Sequence, residues 1–245
     1  MNPFCSIFIE ILRYSFLKER KSSILFPKSK IMYLVKTPKL LQALMPAYTW
    51  KINTAEKVLH LTFDDGPIPE ITPWVLDTLA AYQAHATFFC VGENVERFPD
   101  LYARILAEGH TTGNHTYSHV NGWETENLPY YHNIRHCAQL VKSPLFRPPY
   151  GRITPAQRMF LERHYRIVMW DVLSGDFDPD LSPEQCLLNV TENAKRGSIV
   201  VMHDSIKAAA KLQYILPRIL EHFAGRGYRF ESIEPKGARQ MALAG

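Results

Sequence analysis

Between residues 58 and 232, short apolar runs alternate with longer stretches whose apolar residues recur at helical spacing. The strand-length runs lie at 58–63, 86–91, 111–113, 145–147, 166–170, 198–202 and 228–232. The amphipathic helical stretches lie at 73–82, 99–108, 128–141, 155–164, 183–195 and 211–225. Alternation of strand and helix implies parallel strands wrapped by helices. Seven strands point to an incomplete or distorted (β/α)7 barrel, an α/β fold in a single domain. Barrels of this kind place their chemistry at the carboxyl ends of the strands.

Composition supports one domain. A chain of 245 residues with 46% hydrophobic content buries one substantial core, and a barrel over 51–245 accounts for it. No internal repeat, low-complexity run or Gly/Ser linker interrupts that stretch. The four cysteines, at 5, 90, 137 and 186, form no C-x-x-C pair and no disulfide framework. Cys90 ends an apolar run and reads as a small buried residue.

Charge divides the chain. Residues 1–51 carry nine Lys/Arg against Glu10 and Glu19, a net of +7, so the formal total of +4 leaves −3 for the rest. The domain is therefore near neutral and carries no nucleic-acid footprint. Residues 1–50 read as a basic N-terminal extension, with Phe4, Ile7, Phe8, Ile11, Leu12, Phe16 and Leu17 suited to weak contact with an anionic membrane surface. Glu10 and Arg13 interrupt any transmembrane span and also break a signal peptide's apolar region, which places the protein in the cytoplasm or at a membrane surface. A plainer alternative is that Met32 opens the working chain and residues 1–31 are a start-site extension, dispensable for folding and activity.

The first chemical signal is Leu61-Thr62-Phe63-Asp64-Asp65-Gly66-Pro67, where an apolar strand runs into two carboxylates and Gly-Pro ends it. Neighbouring side chains on an extended backbone point in different directions, so one Asp can hold a cation while the other handles a proton. Alone, this stretch could equally be a polar turn capping a strand. Downstream, His115 and His119 lie four residues apart, and on a helical turn both rings would face one metal. Two imidazoles and one Asp leave a position open for water, the arrangement of a catalytic site. Such ligands suit one divalent metal, zinc first, with cobalt, nickel or manganese as alternatives. His132 and His136 share the spacing but have no acidic motif with them, and read as solvated helix residues.

Further motifs follow. Phe146-Arg147-Pro148-Pro149-Tyr150-Gly151 makes a stiff loop able to aim a backbone N–H at a developing oxyanion. Within it, Arg147 offers a fixed fork that can orient a carboxylate. His203 ends the apolar run at 198–202 and is a candidate general acid.

In this order, the motifs at 62–67, 115–119, 147–151, 171–177 and 201–203 resemble those of the polysaccharide deacetylase family, also called the NodB homology domain or carbohydrate esterase family 4. The resemblance covers about residues 55–235 and implies a metal-dependent hydrolase that removes acetyl groups from sugars, most often N-acetylglucosamine units. It implies Asp64 as general base and Asp65, His115 and His119 as metal ligands. Arg147 would orient the base, the Tyr150 N–H would stabilise the oxyanion, His203 would act as general acid and Asp176 would orient His203. Two motifs depart from the family pattern, at three positions. Leu173 and Phe177 stand where Asp and Trp are usual, and Val201 stands where Leu is usual. Phe177 and Val201 still offer apolar surface for an acetyl methyl. The departures keep open an O-acetyl ester, a formamide on a lipid-linked sugar or a non-sugar amide as substrate. A catalytically silent carbohydrate-binding protein on the same fold is the remaining alternative.

Overall fold

Side chains along the first strand alternate between two layers, and that alternation organises the structure. In the computed structural model, which describes residues 33–235, β1 spans Val58–Asp64 and is buried throughout. Leu59, Leu61 and Phe63 enter the main apolar core with Phe88, Leu76, Ile215, Leu216 and Met202. Thr62 and Asp64 take the opposite face, toward the inside of the curved sheet. The inner layer is thinner: Phe89, Leu145, Val168, Ile199 and Ile233 pack there.

The remaining strands are β2 (Thr87–Cys90), β3 (Thr111–Asn114), β4 (Leu145–Phe146), β5 (Arg166–Ile167), β6 (Val172–Leu173), β7 (Ile199–His203) and β8 (Arg229–Phe230). They pair in parallel in the order β5–β4–β3–β2–β1–β7–β6, with β8 on β1. Register places Asp64 opposite Phe89 on one side and His203 on the other. The helices are α1 (Lys39–Leu44), α2 (Thr72–Ala80), α3 (Gly92–Arg97), α4 (Pro99–Ala107), α5 (Asn127–Leu140), α6 (Pro155–Leu161), α7 (Pro183–Thr191) and α8 (Ala209–Ala224). The fold is the expected open, barrel-like sheet wrapped by helices.

Two local expectations differ from the structure. The run at 166–170 is not one strand: only 166–167 form β5 at one edge of the sheet, and 168–171 cross the opening to β6 at the opposite edge. Val168 N–H still donates to Phe146 of β4, whereas Asp171 N–H already donates to Ile199 of β7. An apolar run cannot show that its hydrogen-bonding partner changes midway. The second difference is a pair of helices, α1 and α3, each only six residues long and too short for a helical period to show.

Residues 34–50, expected to belong to a basic extension, pack against that opening. Leu173 N–H donates to Val35 O, Thr37 N–H to Asp171 O, and Thr49 N–H to Ile167 O. Tyr48 and Trp50 are buried, and the compact unit begins at Leu34. The apolar residues assigned a membrane role and the 1–31 start-site extension lie outside the described residues. No helix among the described residues is long and apolar enough to cross a membrane.

Candidate active site

Asp64 is the last residue of β1, and Asp65 follows with φ 86° in the left-handed region, uncommon for a residue with a side chain. Three bonds hold this turn. Asn94 Nδ2 donates to Asp65 O at 2.8 Å, Gly66 N–H to Asp204 Oδ1 at 3.1 Å, and Val91 N–H to Gly66 O at 3.0 Å. A Cβ on Gly66 would sit 2.0 Å from Asp204 Oδ2, so only glycine admits that carboxylate. The reversal at Asp65 breaks the strand alternation expected for neighbouring residues. Both carboxylates therefore border one centre: His115 Nε2 lies 4.0 Å from Asp64 Oδ2 and 3.9 Å from Asp65 Oδ1.

His115 follows β3 directly, and the segment to His119 is a loop, not the helical turn expected from the spacing. Thr116 and His119 both have left-handed φ, at 63° and 54°. Asn114 Oδ1 accepts from Thr116 N–H, and Asn133 Oδ1 accepts from Tyr117 and Ser118 N–H at 2.7 and 3.1 Å. This scaffold brings His119 Nε2 to 3.1 Å from Asp65 Oδ1, with the two imidazole centroids 5.1 Å apart. Ligand atoms of Asp65, His115 and His119 lie within 4.8 Å of one another, the one such group among the described residues. His132 and His136 lie exposed on α5, where His136 stacks on Tyr117.

The donors fit a divalent cation. His115 Nδ1–H donates to Arg147 O at 2.7 Å, a bond that fixes the tautomer and leaves Nε2 bare toward the centre. Burial, opposed only in part by the neighbouring carboxylates, holds the His115 imidazole down to about 4, so it is neutral at pH 7. Burial alone would raise the Asp65 carboxyl, but the His119 hydrogen bond and the surrounding imidazoles hold it far below the carboxylate range. Lys207 Nζ, on a largely exposed side chain, lies 3.7 Å from Asp65 Oδ2.

Arg147 is wholly buried beneath Asp64. Its Nη1 donates to Asp64 Oδ1 at 2.6 Å and to Thr62 Oγ1 at 2.8 Å, Nη2 to Met169 O at 3.0 Å, and Nε to Val168 O at 3.2 Å. Its guanidinium carbon sits 4.0 Å from the Phe89 ring centroid. The pairing occupies one carboxylate oxygen of Asp64 and leaves Oδ2 facing the histidines.

His203 ends β7 beside Asp64. Asp176 Oδ1 accepts from His203 Nδ1 at 2.8 Å, and Asp176 Oδ2 accepts from His203 N–H at 2.7 Å. Burial alone would lower the His203 imidazole, but the Asp176 charge and hydrogen bond, with Asp65 and Asp64 adding to them, raise it to about 9. Phe177 packs edge-on against the His203 ring at 5.2 Å. Val201 lies two residues earlier on the same face of β7 and is buried. Tyr150 sits in the short 3-10 turn Pro149–Gly151 with φ 60°, more than half exposed, its ring 4.7 Å from that of His119.

Several residues that build this site carry no functional motif in the sequence. Asn94 and Asn133 hold the turns that carry the ligands, and as single helix positions they left no pattern to read. Asp204 carried a visible signal, an acidic residue directly after the His203 strand. It is fully buried, accepts from Thr72 Oγ1 at 2.6 Å, and burial with the nearby Asp65 charge raises it to about 8 against those hydrogen bonds.

Known proteins share much of this sequence and fold. Residues 51–164 match the family described as Polysaccharide deacetylase. A peptidoglycan-N-acetylglucosamine deacetylase of Bacillus cereus is 37% identical over 195 residues, covering 76% of this chain and 90% of that protein. The crystal structure of a peptidoglycan N-acetylglucosamine deacetylase bound to a naphthyl N-hydroxybenzamide superposes with TM-score 0.74 at 32% identity, over 80% of this chain and 95% of the other. A carbohydrate esterase family 4 pseudoenzyme from Bacillus anthracis, at 22% identity and TM-score 0.67 over 79% of this chain and 69% of its own, shares the fold alone.

Proposed function

The chain belongs to the polysaccharide deacetylase family, and from that premise we propose that it is a metal-dependent hydrolase removing N-acetyl groups from N-acetylated amino sugars, of the peptidoglycan or chitooligosaccharide type. The observation that carries this proposal is the convergence of Asp65, His115 and His119 beside the free Oδ2 of Asp64. A divalent cation held by those three residues, zinc first, with cobalt, nickel or manganese as alternatives, would acidify a water molecule and polarise the substrate carbonyl.

The chain's own groups supply the rest. Asp64, oriented by Arg147, takes the proton from the attacking water through Oδ2. The water oxygen adds to the acetamide carbon, and the Tyr150 N–H donates to the oxyanion that forms. His203, kept protonated by Asp176, passes a proton to the sugar nitrogen as the C–N bond breaks. Acetate and a free amine leave. Phe177 and Val201 form an apolar wall for the acetyl methyl.

A pseudoenzyme on this fold shows that architecture does not imply turnover. Here every residue proposed as base, acid or ligand is present, and a cluster of buried carboxylates and imidazoles is costly to keep in a pocket without a task. The test is acetate release from chitooligosaccharides with zinc and then with chelator, beside acetylated xylan. Zinc-dependent release from the chito-substrate supports the N-deacetylase. Release from xylan alone transfers the chain to O-acetyl esters, a reading that Phe177 in place of Trp keeps open. Asp64→Asn should bind zinc and release no acetate, and an active Asn variant refutes the role of Asp64.

A further inference from the structure

The end of the sheet away from the catalytic centre holds a second cavity, which the reaction does not use. Its volume is about 310 Å³, at the small end of the range for ligand pockets. Val58 and His60 of β1, Arg166 of β5, and Glu231 and Ser232 after β8 line it. His60 precedes Asp64 by four residues on β1, about 13 Å along the strand.

Two of the lining groups are left incomplete by the fold. His60 is buried, and its Nδ1–H donates to Glu231 O at 2.8 Å. A carbonyl can only accept, so the other ring nitrogen, Nε2, is a bare acceptor. It is sealed from solvent and has no hydrogen-bond partner among the described residues. Burial, opposed in part by the Glu231 carbonyl, lowers the imidazole and keeps it neutral at pH 7. Buried polar atoms are nearly always paired, so this nitrogen calls for a donor. Arg166 is the second group. Its Nε donates to Thr49 Oγ1 at 3.0 Å and its Nη1 to Glu234 O at 3.1 Å. Both oxygens are uncharged, and no carboxylate pairs with this half-buried guanidinium among the described residues.

We propose that this cavity binds a small hydroxy acid, with its carboxylate on the Arg166 guanidinium and a hydroxyl donating to His60 Nε2. The inference does not rest on the deacetylase reading. Its chemistry follows from what each group lacks. A guanidinium without a counter-charge attracts one carboxylate, and the planar fork suits that shape. The imidazole nitrogen requires an O–H, which a simple carboxylate does not carry. Charge around the cavity limits the ligand to one negative group. Glu56 and Glu231 both pair with Arg229, the second at 3.1 Å, and the exposed Glu234 joins them in the lining. These three carboxylates repel a ligand with two or three of its own. Asn53, Thr54 and Ser232 supply uncharged polar groups for further hydroxyls.

The test is calorimetric titration of the metal-free full chain, freed of chelator, with four probes. D-Gluconate carries both groups, D-glucitol only the hydroxyls, pentanoate only the charge, and citrate three charges. Gluconate should bind saturably and at least about tenfold more tightly than the other three, the difference that one hydrogen bond to a charged partner supplies. Arg166→Gln should weaken gluconate about tenfold and leave glucitol unchanged. His60→Phe should erase the preference for gluconate over pentanoate. Absence of saturable gluconate binding to the wild type overturns the proposal, as does unchanged gluconate affinity in a folded Arg166→Gln protein. Glucitol binding as tightly as gluconate refutes the carboxylate contact, pentanoate doing so refutes the hydroxyl contact, and citrate doing so refutes the limit to one charge. Gluconate binding that survives in Arg166→Gln and is lost in His115→Ala would place the ligand at the metal centre, which also overturns the proposal.

Discussion

Replacing Arg147 with Met should be among the most damaging single changes in this protein. Methionine fills much of the stem's volume, so the loss is chiefly electrostatic. Arg147 is wholly buried, gives four hydrogen bonds of 2.6–3.2 Å and faces Asp64, which is 5% exposed. The substitution leaves a buried carboxylate without its counter-charge, and the carbonyls of Val168 and Met169 without their donor. Breaking a buried ion pair from one side costs about 3–5 kcal/mol. At about 2–4 °C per kcal/mol for a domain of this size, the melting temperature should fall by about 6–20 °C. Urea denaturation of metal-free protein measures it directly, with Asp64→Asn completing a double-mutant cycle. The double variant no longer buries an unpaired charge, so its loss should fall short of the summed single losses by about 1–3 kcal/mol. A single-variant loss below about 1 kcal/mol, or additivity within about 0.5 kcal/mol, would refute the view that this pair is a desolvated, mutually dependent unit.

Three other outcomes are expected. In Asp176→Asn, the charge that raises His203 to about 9 is gone while the burial that lowers it stays. The acid form, held in the wild type until pH rises through that value, should be lost earlier, and the alkaline limb of the zinc enzyme's pH–rate profile should move down; an unmoved limb contradicts the assignment. Gly66→Ala drives a methyl to 2.0 Å from Asp204 Oδ2, so the Asp65 turn must shift and zinc affinity by competition titration should drop at least about tenfold; wild-type affinity would show that the turn does not position Asp65. Zinc at about 100 times its dissociation constant should stabilise the wild type by about 2.7 kcal/mol in thermal melts, and His115→Ala should abolish that gain, whereas an equal gain in the variant would place the metal elsewhere.

What the sequence determined by itself was local. The alternation of apolar runs and helical stretches carries the fold class, because a strand or helix must bury its apolar face and the pattern shows which face that is. The motifs also fell where strands end: Asp64 closes β1, His115 follows β3 and His203 closes β7. Tertiary structure decided what depends on which distant segment comes alongside. The run at 166–170 keeps only β5 and then leaves that edge of the sheet, because the hydrogen-bonding partner changes from β4 to β7 by residue 171. His115 and His119 meet through a loop held by Asn133 on α5, so their spacing of four was not a helical signal. Residues 34–50 sit against the sheet's opening, a role that a basic composition does not display. Asp64 meets Arg147 across 83 residues, and Asp204 reaches Gly66 across 138. Local order follows from neighbours along the backbone, which any window of sequence contains. Convergence on one centre follows from strand register and loop closure, which exist only once the sheet has formed.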